Sequence, residues 1–175
     1  AFLTAGGSID VQETPDPEDE LSVIPAESSE RSGRPPVVIA ASSGSDEVAR
    51  VIDAVKVHYG ERSASRSIAV LYGGRSDGNG SFGAELAAAL TRANLPFFWV
   101  NDPAMLDNKD MAGEADSPIL LSTIQSSKGL EFSAVVACGL GVRDDLITAR
   151  KLIYVGFTRA INDLTVIVGK DSPFR

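Results

Sequence analysis

Short, unbroken runs of aliphatic residues alternate along this chain with segments in which apolar residues recur every three or four positions. Runs of Val, Ile and Leu without polar interruption are typical of strands that are covered on both faces. Their alternation with amphipathic helices is typical of a parallel sheet with crossover helices. The pattern therefore predicts an α/β fold, an open and mostly parallel sheet with helices on both faces.

The predicted strands lie at residues 37–41, 67–72, 97–100, 119–123, 134–139 and 164–168. Ser45 is the expected N-cap of the first helix, because Asp46 and Glu47 then fall in its first turn. The apolar faces of the first two helices are Val48, Val51, Ile52, Val55 and Tyr59, and Phe82, Leu86, Ala89, Leu90 and Ala93. The last helix is predicted at about residues 144–160, with Ile147, Ile153, Gly156, Phe157 and Ala160 against the sheet.

Residues 1–36 are rich in Pro, Glu, Asp and Ser and show no sustained periodicity, which predicts an extended or mobile lead-in. The folded domain is expected at residues 37–175. The lead-in holds eight acidic residues and two arginines, so of the net charge of −8 it accounts for −6 and leaves −2. A nearly neutral domain can bind DNA through a local groove, but its charge gives no independent support for such binding.

The cellular setting is predicted to be cytoplasmic. No run of about 18 apolar residues and no basic segment followed by an apolar one occurs, so neither a membrane span nor a signal peptide is expected. The single cysteine, Cys138, lies in an apolar run and is interpreted as a buried, inert thiol. The single histidine, His58, is interpreted as an ordinary residue near the end of a helix.

Residues 120–132 form the most informative segment, a strand that runs into a polar turn and then into another strand. Ligands of open α/β sheets bind beyond the carboxyl ends of strands, where Thr123 to Gly129 are expected to lie. Thr123, Gln125 and Ser126 offer hydroxyl and amide groups there, and Gly129 permits close backbone approach to a phosphate. The alternative is a capped turn with an exposed Lys128–Glu131 pair.

Residues 150–160 form a second candidate segment, a helix with Arg159 near its end. A rigidly held guanidinium suits a phosphoryl-transfer site, because it can neutralise charge that builds up on a γ-phosphate. The alternative is structural, since a cation at this end of a helix also complements the helix dipole.

Taken together, the two segments resemble the UvrD/Rep family of superfamily 1 DNA helicases. Residues 123–132 are similar to its motif of threonine, an aliphatic residue, histidine, two small residues and Lys-Gly-Leu-Glu-Phe. Residues 152–160 resemble its later motif Leu-x-Tyr-Val-x-x-Thr-Arg-Ala, and residues 68–72 resemble the strand before a helix of its second domain. The resemblance spans nearly all of residues 37–170 and implies the second RecA-like motor domain, a P-loop NTPase-like fold without the P-loop.

The resemblance also implies roles for individual residues. Arg159 would be the arginine finger, Glu131 would bind the ribose of ATP, and Gly129, beside Lys128, would present backbone to the γ-phosphate. The residues expected to contact single-stranded DNA or relay the nucleotide state to it are Thr123, Gln125 and Ser126, with Tyr154 and Thr158 in support. Residues 1–3, Ala-Phe-Leu, are similar to the end of a helix that follows another γ-phosphate arginine in these helicases, so the chain is expected to start just downstream of that arginine.

Three departures from the family pattern stand out. Gln125 occupies the usual histidine position, which keeps hydrogen bonding but loses a titratable ring. Gly73 stands where many relatives have arginine, with Arg75 as a substitute nearby. Residues 101–118 are too few for the large domain that bigger relatives insert there.

The sequence contains no Gly-x-x-x-x-Gly-Lys-[Ser/Thr] motif and no Asp-Glu pair after a strand of the kind that holds magnesium. ATP and Mg²⁺ are therefore expected to be held mainly by an N-terminal RecA-like domain of the same parent chain. The isolated fragment is predicted not to hydrolyse ATP. In the parent protein, the resemblance implies ATP-driven movement along one DNA strand with 3′ to 5′ polarity.

Two other functions remain open. Gly78, Gly80 and Gly83 match Gly-x-Gly-x-x-Gly before a helix, with Asp102 nineteen residues beyond Gly83, as in an NAD(P)-binding Rossmann domain of an oxidoreductase. Against this, five residues separate the predicted strand end from Gly78, whereas the fingerprint needs its first glycine directly after the strand. A degenerate RecA-like domain that only binds partners is the other alternative.

Overall fold

The structure is a computed structural model that describes residues 34–60, 67–73, 82–102, 119–140, 146–170 and 172, with only the backbone of residues 146–149. All of these residues belong to one compact unit, Arg34–Arg175. The acidic lead-in up to residue 33, Arg75, Gly78 and Gly80 lie outside the described residues, as does most of the connection before the fourth strand.

The described secondary structure alternates as the sequence predicts. The strands are β1 (Val37–Ala40), β2 (Ile68–Tyr72), β3 (Phe97–Trp99), β4 (Ile119–Thr123), β5 (Phe132–Cys138) and β6 (Ala160–Val168). The helices are α1 (Gly44–Gly60), α2 (Phe82–Arg92) and α3 (Leu146–Phe157).

All six strands form one parallel sheet in the order β1-β6-β5-β2-β4-β3. Two layers of side chains cover it. On one face, α1 and α2 pack against β-strand residues that include Val70, Leu121 and Val136. On the other face, α3 packs against alternate residues of the same strands. The predicted open, parallel α/β sheet with helices on both faces is therefore confirmed.

Edge strand β1 differs from the expectation that every run of aliphatic residues is covered on both faces. Among the described strands it pairs only with β6, and Val37 and Val38 remain 53% and 66% exposed. An aliphatic run shows that a segment suits a strand, but it does not show whether the strand lies at the centre or at the edge of the sheet.

Helix α1 begins two residues before the predicted position. Ser43 Oγ accepts a hydrogen bond from the backbone N–H of Asp46 at 3.1 Å, so Ser43 rather than Ser45 is the N-cap. Asp46 in turn accepts hydrogen bonds from the backbone N–H and hydroxyl of Ser42 and from Arg50. These bonds, the backbone one first, hold the pKa of Asp46 below its ordinary value.

His58 lies in the last turn of α1, near the end of the helix as predicted, but it is also buried. Its Nε2 lies 3.3 Å from Thr165 Oγ1 on β6.

A second correction concerns the last helix, which ends at Phe157, while β6 begins at Ala160 rather than at residue 164. Arg159 therefore lies in the turn between the helix and the strand.

Two negative findings apply to the described residues. No helix among them is both long and apolar enough to cross a membrane. In that same part of the chain, no group of three or more His, Cys, Asp or Glu side chains could hold a metal ion.

Candidate functional site

The connection between β4 and β5, residues 124–131, is called the crossover here. Thr123 pairs with Tyr72 at the carboxyl end of the sheet, and Cys138 pairs with Tyr72 on the other side. Since β5 begins six residues before Cys138, at Phe132, the crossover travels about 20 Å along the sheet at roughly 3.3 Å per residue. It is too short for a helix of its own and passes through successive turns.

The course of the crossover corrects one expectation. Thr123 lies at the carboxyl end of the sheet as predicted, but Gly129 reaches the amino end, next to the start of β5. Hydrogen bonds from the backbone N–H of Ser127 to Thr123 O and from that of Leu130 to Ser127 O shape the intervening turns. The candidate residues are thus divided between two opposite ends of the sheet.

At the carboxyl end, Asn101, Thr123 and Ser126 form what is called the polar ring here. Asn101 Oδ1 accepts the backbone N–H of Thr123 at 3.0 Å, and Asn101 Nδ2 donates to Ser126 Oγ at 3.1 Å. Thr123 Oγ1 donates to Ser126 Oγ at 2.8 Å and accepts the backbone N–H of Ser126 at 3.1 Å. Gln125, the third predicted nucleic-acid residue, is exposed beside them.

Asn101 was missed by sequence reasoning, although the structure explains its position. The backbone N–H of Val100 continues the β3–β4 pairing to Leu121 O, and the next residue of the chain is Asn101. Its side chain then accepts the N–H of Thr123, to which β3 is too short to offer a backbone carbonyl. A polar residue just after a strand was the only available signal.

At the amino end, Arg159 meets the last residues of the crossover. Its Nη1 donates to Leu130 O at 3.0 Å, its Nε to Val155 O at 3.1 Å and its Nη2 to Thr158 Oγ1 at 3.2 Å. The backbone also joins the two segments, since Phe132 N–H donates to Arg159 O at 2.8 Å. All three acceptors of the guanidinium are uncharged groups.

Lys128, Gly129 and Glu131 flank Leu130, whose carbonyl oxygen accepts from Arg159, and all three are exposed. Gly129 has a φ of +88°, which L residues with a side chain rarely adopt. A Cβ at Gly129 would meet no described atom within 4 Å. The glycine is therefore needed for the backbone conformation, and the space above it is open.

Thr158 and Tyr154, the two residues expected to support the site, differ in whether they contact Arg159 through a hydrogen bond. Thr158 Oγ1 donates to Val155 O at 3.0 Å while it accepts from Arg159, so it holds the guanidinium directly. The side chain of Tyr154 is 61% exposed and takes no part in these hydrogen bonds. The supporting role of Tyr154 stays a prediction.

A packing contact connects the crossover to the helix that carries Arg159. Ile124, the first crossover residue, is fully buried on the α3 face of the sheet. A Cβ added at Gly156 of α3 would lie 3.2–3.3 Å from three carbon atoms of Ile124. Gly156 thus allows the helix to approach the crossover closely, three residues before Arg159.

Two tight contacts shape the carboxyl end near β5. A Cβ at Gly73 would lie 2.5 Å from the carbonyl oxygen of Gly139, so the arginine of many relatives does not fit this backbone without a shift. Glu47, buried on α1, accepts the backbone N–H of Gly139 at 2.8 Å. Burial, and then the charge of Glu47, raise the pKa of the neighbouring Cys138 thiol well above its ordinary value. The predicted buried thiol is confirmed.

The sheet order argues against the dinucleotide-binding alternative. In that fold, the strand that precedes the glycine fingerprint lies next to the strand that carries the ribose-binding acid. Here β4 lies between β2 and β3, so Asp102, after β3, is separated from the end of β2 by a whole strand. Gly83 has a packing role instead, because a Cβ there would lie 2.5 Å from the Tyr72 hydroxyl oxygen.

Comparison with protein families and solved structures agrees with this geometry. Residues 118–167 match the UvrD-like helicase C-terminal domain family. The fold is similar to the C-terminal domain of a possible DNA helicase from Lactobacillus plantarum WCFS1, with a TM-score of 0.58, 21% identity, and coverage of 81% of this chain and 78% of that one.

A second similar structure is Mss116p DEAD-box helicase domain 2 bound to an RNA duplex, with a TM-score of 0.52 and 16% identity. The match covers 78% of this chain and 54%, about half, of that chain. Among curated proteins, no sequence matches this chain.

The resemblance to the C-terminal domain of UvrD/Rep-type helicases is confirmed over residues 118–167, which contain the crossover and Arg159. The expected RecA-like fold is confirmed as well, since both structural neighbours are helicase domains. The roles of the individual residues stay predictions.

Proposed function

We propose that this domain is the second motor domain of an ATP-dependent DNA helicase, and that it supplies one side of an interdomain ATP site and part of the track for single-stranded DNA. The observation that carries the proposal is the division of the candidate residues by the crossover. Its last residues meet Arg159 at the amino end of the sheet, while its first residues follow Thr123 at the carboxyl end.

The chemistry of the amino-end residues fits a nucleoside triphosphate. A guanidinium binds phosphate oxygens, an exposed carboxylate such as that of Glu131 can accept hydrogen bonds from ribose hydroxyls, and the backbone at Gly129 is open to a ligand. The phosphate cradle and Mg²⁺ are assigned to the first RecA-like domain of the same parent chain, because the sequence here has no P-loop.

Arg159 would act by exchanging its acceptors. Its guanidinium now binds two carbonyl oxygens and one hydroxyl. The guanidinium is charged in all of these bonds, but a phosphate adds a full opposite charge and can accept two parallel N–H groups at once. A γ-phosphate within reach would therefore compete with Leu130 O and Thr158 Oγ1. The arginine would then stabilise the negative charge that develops during phosphoryl transfer.

The test replaces Arg159 by alanine in the full-length protein. An arginine finger contributes about 10³- to 10⁵-fold to turnover, so the variant should lose most of its DNA-stimulated ATPase activity while it still binds nucleotide. Arg92→Ala is a matched control, because Arg92 lies in the last turn of α2 and its Nε also bonds the carbonyl four residues earlier, that of Ala88. The control should retain wild-type turnover.

Unchanged turnover in Arg159→Ala would contradict the proposed ATP site. A parent protein that shows no ATPase activity at all would favour the other RecA-like alternative, a domain used only to bind partners. The isolated domain should hydrolyse no ATP, which a phosphate-release assay on the purified fragment measures.

A further inference from the structure

We infer that Asn101 is a further nucleic-acid-contacting residue, which presents a hydrogen-bond donor of the polar ring to a phosphate oxygen of a bound single strand. The inference rests on the proposed function, because it adds a residue to the proposed DNA track. It is carried by the hydrogen bonds of Asn101, Thr123 and Ser126.

The orientation of the Asn101 amide is fixed by its neighbours. The backbone N–H of Thr123 can only donate, so the atom 3.0 Å from it must be the amide oxygen. The amide nitrogen therefore faces Ser126 Oγ at 3.1 Å. One of its two N–H groups is used in this bond, and the second has no acceptor among the described residues.

The two hydroxyls leave a second donor. Thr123 Oγ1 and Ser126 Oγ lie 2.8 Å apart, so one of the two hydroxyl hydrogens bridges them and the other does not. Ser126 Oγ already accepts from Asn101 Nδ2 and from Thr123 Oγ1, so its own hydrogen is not used within the ring. Within the described residues, the ring therefore has two hydrogens to offer to an external acceptor, one on Asn101 Nδ2 and one on Ser126 Oγ.

The position of the ring favours a ligand rather than a structural partner for these donors. Asn101 and Ser126 are both exposed and lie at the carboxyl end of β4, where ligands of open parallel sheets bind. Uncharged Asn, Ser and Thr side chains commonly contact the sugar-phosphate backbone of nucleic acids, which fixes the position of a strand without reading its sequence. A phosphate oxygen accepts hydrogen bonds, so it can bind both of the ring's unused hydrogens.

The first test measures the dissociation constant of a fluorescent oligothymidylate for the full-length protein by fluorescence anisotropy. Asn101→Ala should weaken binding about tenfold, since it removes one donor and the brace that holds the other. The slope of the logarithm of the binding constant against the logarithm of the salt concentration should not change, because the substitution removes no positive charge. Asn162→Ala is the matched control, an exposed asparagine near the amino end of β6, and should bind as the wild type does.

Asn101→Asp separates contact from bracing. An aspartate can still accept the Thr123 N–H, but it has no amide N–H to donate and adds a negative charge. Binding should therefore be weaker than in Asn101→Ala. If Asn101→Asp instead binds as tightly as the wild type, Asn101 only braces the backbone of Thr123, and the contact is overturned.

Methylphosphonate substitution, one linkage at a time, identifies the contacted phosphate. At that linkage the substitution should weaken binding by the wild type but not by Asn101→Ala. Equal sensitivity of both proteins at every linkage would also overturn the contact. If Asn101→Ala binds normally while Ser126→Ala binds weakly, only the inference fails, whereas a wild-type protein that binds no single-stranded DNA would refute the proposed function itself.

Discussion

The two ends of the crossover hold their side chains in different ways. At the carboxyl end, Asn101, Thr123 and Ser126 bond to one another in a ring of uncharged groups. At the amino end, a single cation, Arg159, gathers three neutral acceptors. The bonds of the ring join its own members and need not break for a ligand to bind, whereas the proposed role of Arg159 requires it to exchange neutral acceptors for a charged one. If the proposed function is correct, the first end is a preformed contact surface and the second end rearranges.

The largest expected effect tests the rearranging end. Arg159→Lys keeps the positive charge but loses the planar fork that bonds three acceptors at once. We expect turnover to fall at least 100-fold in the full-length protein, because a point charge cannot replace the arginine at a phosphoryl-transfer site. Steady-state ATPase kinetics with saturating single-stranded DNA measure this, and a loss of less than tenfold would show that charge alone is sufficient.

The next prediction concerns the contact that joins the two ends. Gly156→Ala places a Cβ 3.2–3.3 Å from three carbon atoms of the Ile124 side chain, which must move by a few tenths of an ångström although Ile124 is fully buried. Overpacking of this kind costs roughly 1–3 kcal/mol of unfolding free energy, and stimulation of the ATPase by DNA should decrease with it. The double variant Gly156→Ala/Ile124→Ala should lose less stability than the sum of the two single variants. Strict additivity in urea titrations would show that the contact does not matter.

A smaller effect is expected at Gly129, where the penalty is conformational. With φ at +88° and open space around it, Gly129→Ala should destabilise the domain by about 1–2 kcal/mol without any clash. Gly60→Ala is the matched control, since Gly60 is equally open but lies at the end of α1 without a positive φ. That variant should be neutral or stabilised by about 0.5–1 kcal/mol. Equal thermal shifts in the two variants would contradict the backbone assignment.

The smallest effect concerns the stability of the domain at alkaline pH, which depends on the buried thiol of Cys138 at the carboxyl end of β5. Burial raises the pKa of Cys138 in the folded domain, so above the ordinary thiol pKa the unfolded chain has lost a proton that the folded chain still holds. This contribution to stability is complete below that pH and declines as pH rises further. Tyr72, whose pKa burial also raises, acts in the same direction at higher pH. Cys138→Ala should flatten the alkaline decline in stability, as measured by denaturant titrations between pH 7 and 10.

The two helicase-like motifs could be recognised in the sequence, and the strands could be predicted where their aliphatic runs had clear ends. The bounds of β4 are those predicted, and the residues of the α1 and α2 apolar faces lie in the core. The buried polar residues of α1 were missed although a signal existed. Glu47 and His58 share one stripe with Val51 and Val55, at intervals of three and four residues.

Other features could not be read from local patterns. The crossover passes through turns, and turns have no periodic pattern that a sequence analysis can recognise. The position of Gly129 could not be predicted for this reason, because it depends on how far β5 extends toward the amino end of the sheet. Asn101 and Thr123 are 22 residues apart, and only the pairing of β3 with β4 brings them together. Long-range pairing of this kind leaves no trace in a single sequence.

The core, rather than the chemistry, fixes the number of residues in the crossover. Along β5, Val135 and Ala137 face one core layer, while Ala134, Val136 and Cys138 face the other. One residue more or fewer in the crossover would have to be absorbed as a bulge, or else β5 would slip by one position and exchange the contents of the two layers. The length of the crossover is therefore tied to the register of a central strand, and a change in that length needs either a bulge or a repacking of both faces of β5.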